Sequence, residues 1–328
     1  MIVLDPLLPA EEADAMVSLW HEVGDFGQYS NEGFATQFAP ELAQRYDAAA
    51  NFVRTRGRFH RTEDVAVAAA RTNYFRETYA YGDDVTVPGI EVLLHHSGFA
   101  EAARTLHGRP VIVPAIVYAN ILLPGQELAV HTDVPEFRGA NRKTTPQWLL
   151  VVMHHAGLFD DWRMPIATGI AYFGHASGGE LAYYPDGATG PAATFAPRHD
   201  TAVVLDTDTV FHGVDRVDGD DSPLASLKPG MRLRHRGDGR WAVVDGDREV
   251  VTYGTDDLRY SVSWKGYCFT DDAERAAWSG HHDDLDLDAV LARLVDDLVD
   301  RGRLASVDDR PGDAELGRLL IKEHIRFP

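Results

Sequence analysis

The chain has 328 residues, 45% of them hydrophobic and 25% charged, proportions that suit a folded protein with a full core. Its 31 basic and 51 acidic side chains leave a net charge of -20, a field that repels phosphate backbones and excludes nucleic acid as an expected partner. The single cysteine, Cys268, excludes an intramolecular disulfide and a multi-cysteine zinc site.

The N-terminal MIVLDPLLPAEEADAM lacks the basic and apolar regions of a signal peptide. No apolar run approaches the roughly 20 residues of a membrane helix. A cytoplasmic location without a membrane partner is therefore expected. Residues 1–108 read as mainly helical: EEADAMVSLWHEV, EDVAVAAARTNYFRETYAY and IEVLLHHSGFAEAARTLHG carry apolar residues at helical spacing. The period changes at PVIVPAIVYANILLPG, a β-branched run closed by Pro-Gly. From there to residue 269 short strand-like runs alternate with turns: QELAVHTD, QWLLVVMHH, ATGIAYFG, GELAYYP, TAVVLDTDTVFHGVDRV, RWAVVDG, REVVTYG and RYSVSWKGYCF. Many short strands with Gly, Pro and Asp turns predict a sandwich or barrel and not a parallel α/β sheet. Segment 218–258, rich in Asp, Gly and Arg, reads as an inserted β excursion. Residues 270–328 return to helix, clearest in LDAVLARLVDDLVDRG. The expectation is one domain: helical 1–108, a β core at 109–269 and helical 270–328.

Two imidazoles and one carboxylate on one face of a metal, with the other face open, make the ligand set of non-haem Fe(II) oxygenases. His-x-Asp at a strand end aims two such ligands one way, because positions i and i+2 share a strand face. His131 and Asp133 follow the apolar run ELAV in this manner, and His212 in TDTVFHGV can supply the third ligand from a distant strand. His281 with Asp283 and His282 with Asp284 share the spacing, but SGHHDDLDLD has no strand pattern and reads as solvated surface.

In chain order, a Pro-Gly turn leads into His131-Thr132-Asp133. Gly178-Gly179-Glu180-Leu181-Ala182-Tyr183-Tyr184-Pro185 follows, then Phe211-His212-Gly213-Val214 and Arg259-Tyr260-Ser261. Over roughly residues 115–269 this order resembles the prolyl-4-hydroxylase-like branch of the 2-oxoglutarate/Fe(II)-dependent dioxygenase superfamily. The resemblance implies a double-stranded β-helix, or jelly roll, with Fe(II) held by His131, Asp133 and His212. It also implies that Arg259 and Ser261 grip the distal carboxylate of the co-substrate 2-oxoglutarate, a role that suits a guanidinium with a hydroxyl on the same strand face. The reaction implied consumes O2, releases succinate and CO2, and hydroxylates an unactivated C–H bond of a small molecule, such as an amino acid, a small peptide or a natural-product intermediate. Related halogenases lack the carboxylate, so Asp133 points to hydroxylation.

The spacing departs from the family pattern in one place. Some 47 positions separate His212 from Arg259, which the 218–258 insertion accounts for; Arg216, Lys228 and Arg232 are the competing anchors. Tyr118 and Asn120 share a strand face upstream of the His-x-Asp motif and are candidates for co-substrate contact or for plain packing; Tyr172 has the same two readings. Gly178–Gly179 reads as a tight turn or a close backbone approach. Arg138, Arg142 and Lys143 read as a solvated loop. The acidic surface favours a substrate carrying an amine, and oligomeric state is not legible. Two other classes remain: a non-haem iron oxidase that does not use 2-oxoglutarate, and a non-enzymatic jelly-roll binding protein.

Overall fold

The computed structural model describes residues 1–29, 56 and 65–325; the helical character expected of the other residues before position 65 lies outside this set. In chain order the first strands and helices are β1 (Ile2–Leu4), α1 (Ala10–Val23), β2 (Asp25–Gln28), α2 (Val65–Thr72), β3 (Phe75–Tyr81), β4 (Asp84–Val85), α3 (Glu91–Leu94) and α4 (Ser97–His107). The β-rich middle contains β5 (Val111–Leu122), β6 (Leu128–His131), β7 (Glu136–Phe137), α5 (Gln147–Ala156), β8 (Arg163–Met164), β9 (Ile166–Phe173), β10 (Leu181–Tyr183), β11 (Ala193–Phe195), β12 (Thr201–Leu205) and β13 (His212–Val214). Then come β14 (Arg232–His235), β15 (Arg240–Asp245), β16 (Arg248–Gly254), β17 (Arg259–Phe269), α6 (Asp272–Ser279), α7 (Leu287–Asp300) and α8 (Asp313–His324).

Eleven strands form one antiparallel sheet in the order β1-β12-β9-β17-β5-β3-β2-β14-β15-β16, with β4 beside β3. A smaller antiparallel sheet runs β11-β10-β13-β6. β17 lies at the centre of the large sheet, and its alternate residues serve different layers. Tyr260, Val262 and Trp264 join the main hydrophobic core with Trp20 of α1 and Phe99 of α4. Trp20 stacks on Tyr260 at 4.4 Å between ring centroids, and the Trp264 indole donates to the Leu94 carbonyl at 3.0 Å. Arg259, Ser261, Ser263 and Lys265 occupy the opposite face. Their register partners include Asn120 and Tyr118 on β5 and Thr168 and Tyr172 on β9.

The chain departs from the sequence expectation in three places. Among the described residues before position 109, helices α1–α4 are interleaved with strands β1, β2 and β3, which hydrogen-bond into the large sheet. The stretch from Glu63 to Tyr81, expected as one helix, gives helix α2 and then strand β3, with Asn73 and Tyr74 between them. FRETYAY carries aromatic and β-branched residues that suit a pleated surface. QWLLVVMHH is helix α5 and not a strand. Leu149 to Met153 are all buried, in a second core shared with α7 and α8. A continuous apolar run shows no period when every face is covered, so helix and strand look alike in sequence. Segment 218–258 does hold a β excursion: β14 pairs with β2, so that β14–β16 prolong the large sheet.

Candidate metal centre

β6 and β13 pair so that His131 stands directly opposite His212. Gly213 lets the two strands meet there, since a Cβ at that position would sit 2.6 Å from the Leu128 carbonyl oxygen. The imidazoles lie 4.4 Å apart between ring centroids. Each ring is oriented by its own strand. His131 Nδ1 lies 2.6 Å from the Ala129 carbonyl oxygen and His212 Nδ1 2.9 Å from that of Val210. With Nδ1–H donated to a carbonyl, each Nε2 presents a lone pair, the tautomer a metal ligand needs. The backbone thus provides the acceptors that the sequence could not name.

Asp133 reaches the same point by a route the sequence reading did not foresee. β6 ends at His131, so strand alternation does not aim the carboxylate. Instead the Asp133 amide donates to the Thr207 carbonyl at 2.7 Å, tying this loop to the one after β12. Asp133 Oδ1 then lies 3.7 Å from His131 Nε2 and 3.9 Å from His212 Nε2. Two ligands of one ion with bonds of about 2.1–2.2 Å sit at most about 4.4 Å apart, so both separations fit a shared ion. Among the described residues this is the one group of three or more His, Cys, Asp or Glu side chains whose donors are this close. All three residues are buried, and His131 Nε2 has no hydrogen-bond partner. A buried imidazole nitrogen left without one is costly unless a ligand takes it. The donor set and the orphaned nitrogen therefore fit a divalent transition metal.

The other carboxylate oxygen, Asp133 Oδ2, accepts from Lys265 Nζ at 2.8 Å, and Lys265 is itself only 6% exposed. Burial opposes the ammonium's charge, yet the neighbouring Asp133 carboxylate holds its pKa above the ordinary lysine value. This side chain was missed in the sequence. The only available signal was a lysine inside an otherwise buried-looking strand, and its partner lies 132 positions away.

A cavity with about 570 Å³ of empty space opens beside the three residues and is lined by both sheets. Arg259, Ser261, Tyr118 and Asn120, the four residues singled out for co-substrate contact, all line it. The Arg259 guanidinium is buried. Its Nε donates to the Gly179 carbonyl at 2.7 Å and its Nη1 to Ser261 Oγ at 3.3 Å. It lies 5.2 Å from the centroid of the Tyr172 ring. No carboxylate of the described residues pairs with it, and burial lowers its pKa from the usual arginine value. Gly179, at φ +67°, permits the approach: a Cβ there would lie 2.4 Å from Arg259 Cδ. Asn120 Nδ2 donates to Ser263 Oγ at 3.1 Å.

The competing anchors are elsewhere. Arg216 pairs with Asp221, Arg232 pairs with Asp25 at 2.6 Å, and Lys228 is exposed. His281 is spent on Asp284 at 2.8 Å, on the surface as expected. Arg138 meets Asp283 at 2.8 Å. Arg142 is half-buried and not freely solvated: its Nε is buried, and the residue lines a second cavity with Lys143 and Lys265. Asp208, in the loop that holds Asp133, is fully buried with both oxygens unpartnered, and burial pushes its pKa up to about 7.

No family model and no curated protein matches the chain. Among solved structures, it is similar to a 2OG-Fe(II) oxygenase family oxidoreductase from Burkholderia pseudomallei at 12% identity, covering 81% of this chain and 84% of that one with a TM-score of 0.41. A prolyl-4-hydroxylase from Pseudomonas putida is similar at 12% identity over 82% and 91% of the two chains, with a TM-score of 0.39. A prolyl hydroxylase from Trichoplax adhaerens, solved with a hypoxia inducible factor peptide fragment, matches at 10% identity over 84% and 85%, with a TM-score of 0.43.

Proposed function

We propose that this chain is an Fe(II)- and 2-oxoglutarate-dependent oxygenase of the prolyl-4-hydroxylase-like branch that hydroxylates an unactivated C–H bond of a small molecule. His131, Asp133 and His212 would hold the iron, which, when bound, supplies the O2 activation that no protein side chain provides. The observation that carries the reading is Arg259, a buried guanidinium without a carboxylate partner in the same cavity as the three donors. A buried cation is costly unless an anion reaches it. The distal carboxylate of a keto acid whose other end lies at the metal would meet that need, which favours 2-oxoglutarate use over an oxidase without it.

In this reading Arg259 and Ser261 bind the distal carboxylate, with two parallel N–H donors matched to two oxygens. The Gly179 carbonyl orients the guanidinium before the ligand arrives. Asn120 and Ser263 give the cavity wall a hydrogen-bonding surface, and Tyr118 forms its boundary toward the second cavity. Lys265 occupies one oxygen of Asp133, leaving the other to face the histidines. We further read the two sheets that line the cavity as the halves of a double-stranded β-helix. The chain would be a single domain, since the N-terminal strands and the 218–258 meander hydrogen-bond into one of those sheets.

The test is an anaerobic titration of metal-free protein with Fe(II) and then 2-oxoglutarate, watching for the visible charge-transfer band of a keto acid chelated to iron. The band should form with the unaltered protein, vanish in His131→Ala and need more keto acid in Arg259→Ala. Iron binding without the band would move the assignment to the oxidase. No iron binding would leave a binding protein.

A further inference from the structure

The second cavity, with about 670 Å³ of empty space, adjoins the first: Tyr118 lines both, and Lys265, which lines the second, bonds Asp133. Its charge is opposite to that of the chain. Arg76, Arg142 and Lys143 line it together with Lys265, against a single acid, Glu136. Lys265 is neutralised by Asp133, and Glu136 accepts a 2.6 Å hydrogen bond from the Tyr267 hydroxyl. The other three cations have no carboxylate partner among the described residues. Arg76 stacks on Tyr118, its guanidinium carbon 3.8 Å from the ring centroid. Lys143 Nζ lies 4.1 Å from the centre of the Tyr81 ring. Arg142 donates Nη2 to the Val134 carbonyl at 3.2 Å, while its Nε is buried with no partner at all.

In a chain of net charge -20 with more acids than bases, four cations facing one cavity against a single acid are not a statistical surface. Arg76 and Arg142 are half-buried, and a cation drawn out of water is costly unless an anion completes it; Lys143 adds its charge at the exposed rim. The Asp133 and Glu136 carboxylates attract Arg142 through space, but neither forms an ion pair with it among the described residues, and Lys265 already serves Asp133. Apart from Asn141, the remaining walls are apolar or aromatic, chiefly from Ile116, Ile166, Tyr81 and Tyr118.

We infer that the second cavity is the site of the substrate to be oxidised, and that this substrate is an organic anion whose carboxylate or phosphate is held by Arg142, Lys143 and Arg76. This rests on the first cavity being the metal and keto-acid site, and it runs against the amine-bearing substrate expected from overall charge. The local field of a cavity, not the net charge, selects a bound group.

Full-length protein loaded with Co(II) and 2-oxoglutarate is titrated with benzoate, phenyl phosphate and benzylamine, following ligand proton relaxation by NMR. At least one anion should bind about tenfold or more tighter than benzylamine, and its relaxation by Co(II) should report a ring close to the metal. Whichever anion is tighter separates carboxylate from phosphate recognition. Arg142→Gln and, at the exposed position, Lys143→Gln should each weaken that anion by about three- to tenfold and leave 2-oxoglutarate affinity within about twofold. Arg259→Gln should do the converse. Preference for benzylamine, absence of anion binding, or indifference to both substitutions would overturn the inference. So would a shift of 2-oxoglutarate affinity in Arg142→Gln, which would put the keto acid in the second cavity. If 2-oxoglutarate fails to bind while benzoate still responds to Arg142→Gln, the oxygenase reading falls and the anion site stands.

Discussion

Replacing Lys265 by methionine removes the ammonium 2.8 Å from Asp133 Oδ2 while nearly keeping side-chain volume. At an effective dielectric of about 20, charges at that separation attract by roughly 6 kcal/mol. Part of this is returned, because methionine spares the cost of burying an ammonium. Breaking a buried pair from one side typically costs about 3–5 kcal/mol, and both partners here are under 10% exposed. Metal-free Lys265→Met should therefore lose about 3–5 kcal/mol in urea unfolding measured in EDTA. A divalent ion supplies Asp133 with another positive partner, so the loss should shrink to less than half in excess Ni(II). By linkage, metal then stabilises the variant more than the parent. A variant that folds only with metal would be the extreme form of this result. A metal-free loss below about 1 kcal/mol, or equal stabilisation of both proteins by Ni(II), would refute the assignment of Lys265 as the counter-charge of an empty ligand.

Gly179→Ala places a Cβ against Arg259 and demands a left-handed backbone from alanine. The dissociation constant of 2-oxoglutarate should rise by at least about tenfold with Ni(II) affinity unchanged, both read by calorimetry; unchanged keto-acid affinity would remove Arg259 as its anchor. Asp208 is an acid whose pKa burial raises to about 7, so the folded protein holds its proton more tightly than the unfolded chain. The resulting cost is absent below about pH 4 and complete above pH 7, and amounts to about 4 kcal/mol at most. Asp208→Asn should thus gain stability over the parent as pH rises from 4 to 8 in metal-free protein, and parallel stability–pH curves would contradict this.

The cluster of His131, Asp133 and His212 was legible because a histidine and a carboxylate close an apolar run and because their chain order matched a known pattern. Arg259 was legible as a candidate once 218–258 was set aside as an excursion, a segment in which β14–β16 extend the large sheet. Lys265 and Ser263 were not. They share the face of Arg259, alternating with Tyr260, Val262 and Trp264, but alternation does not say which member of a polar face meets a residue 132 positions away. Arg142 was read as solvated because a loop sequence carries no sign of which basic residue turns inward. Helix α5 was misread because the continuous burial of Leu149 to Met153 erases periodicity.

The ligands also differ in what restrains them. Backbone amides exchange with solvent water only when their hydrogen bonds open, and opening is hardest at the middle of a sheet. β17 is paired on both edges, by β5 and β9, from Tyr260 to Tyr267, so Ser261 and Lys265 ride on amides that should exchange only with global unfolding. Asp133 sits beyond the end of a four-residue strand, and its restraints include an amide hydrogen bond to Thr207 and the Lys265 ammonium. A local opening of that loop would release the carboxylate while the two imidazoles and the whole β17 face stay ordered. Proton exchange at the Asp133 amide is thus the most sensitive reporter of whether the cluster of His131, Asp133 and His212 is closed.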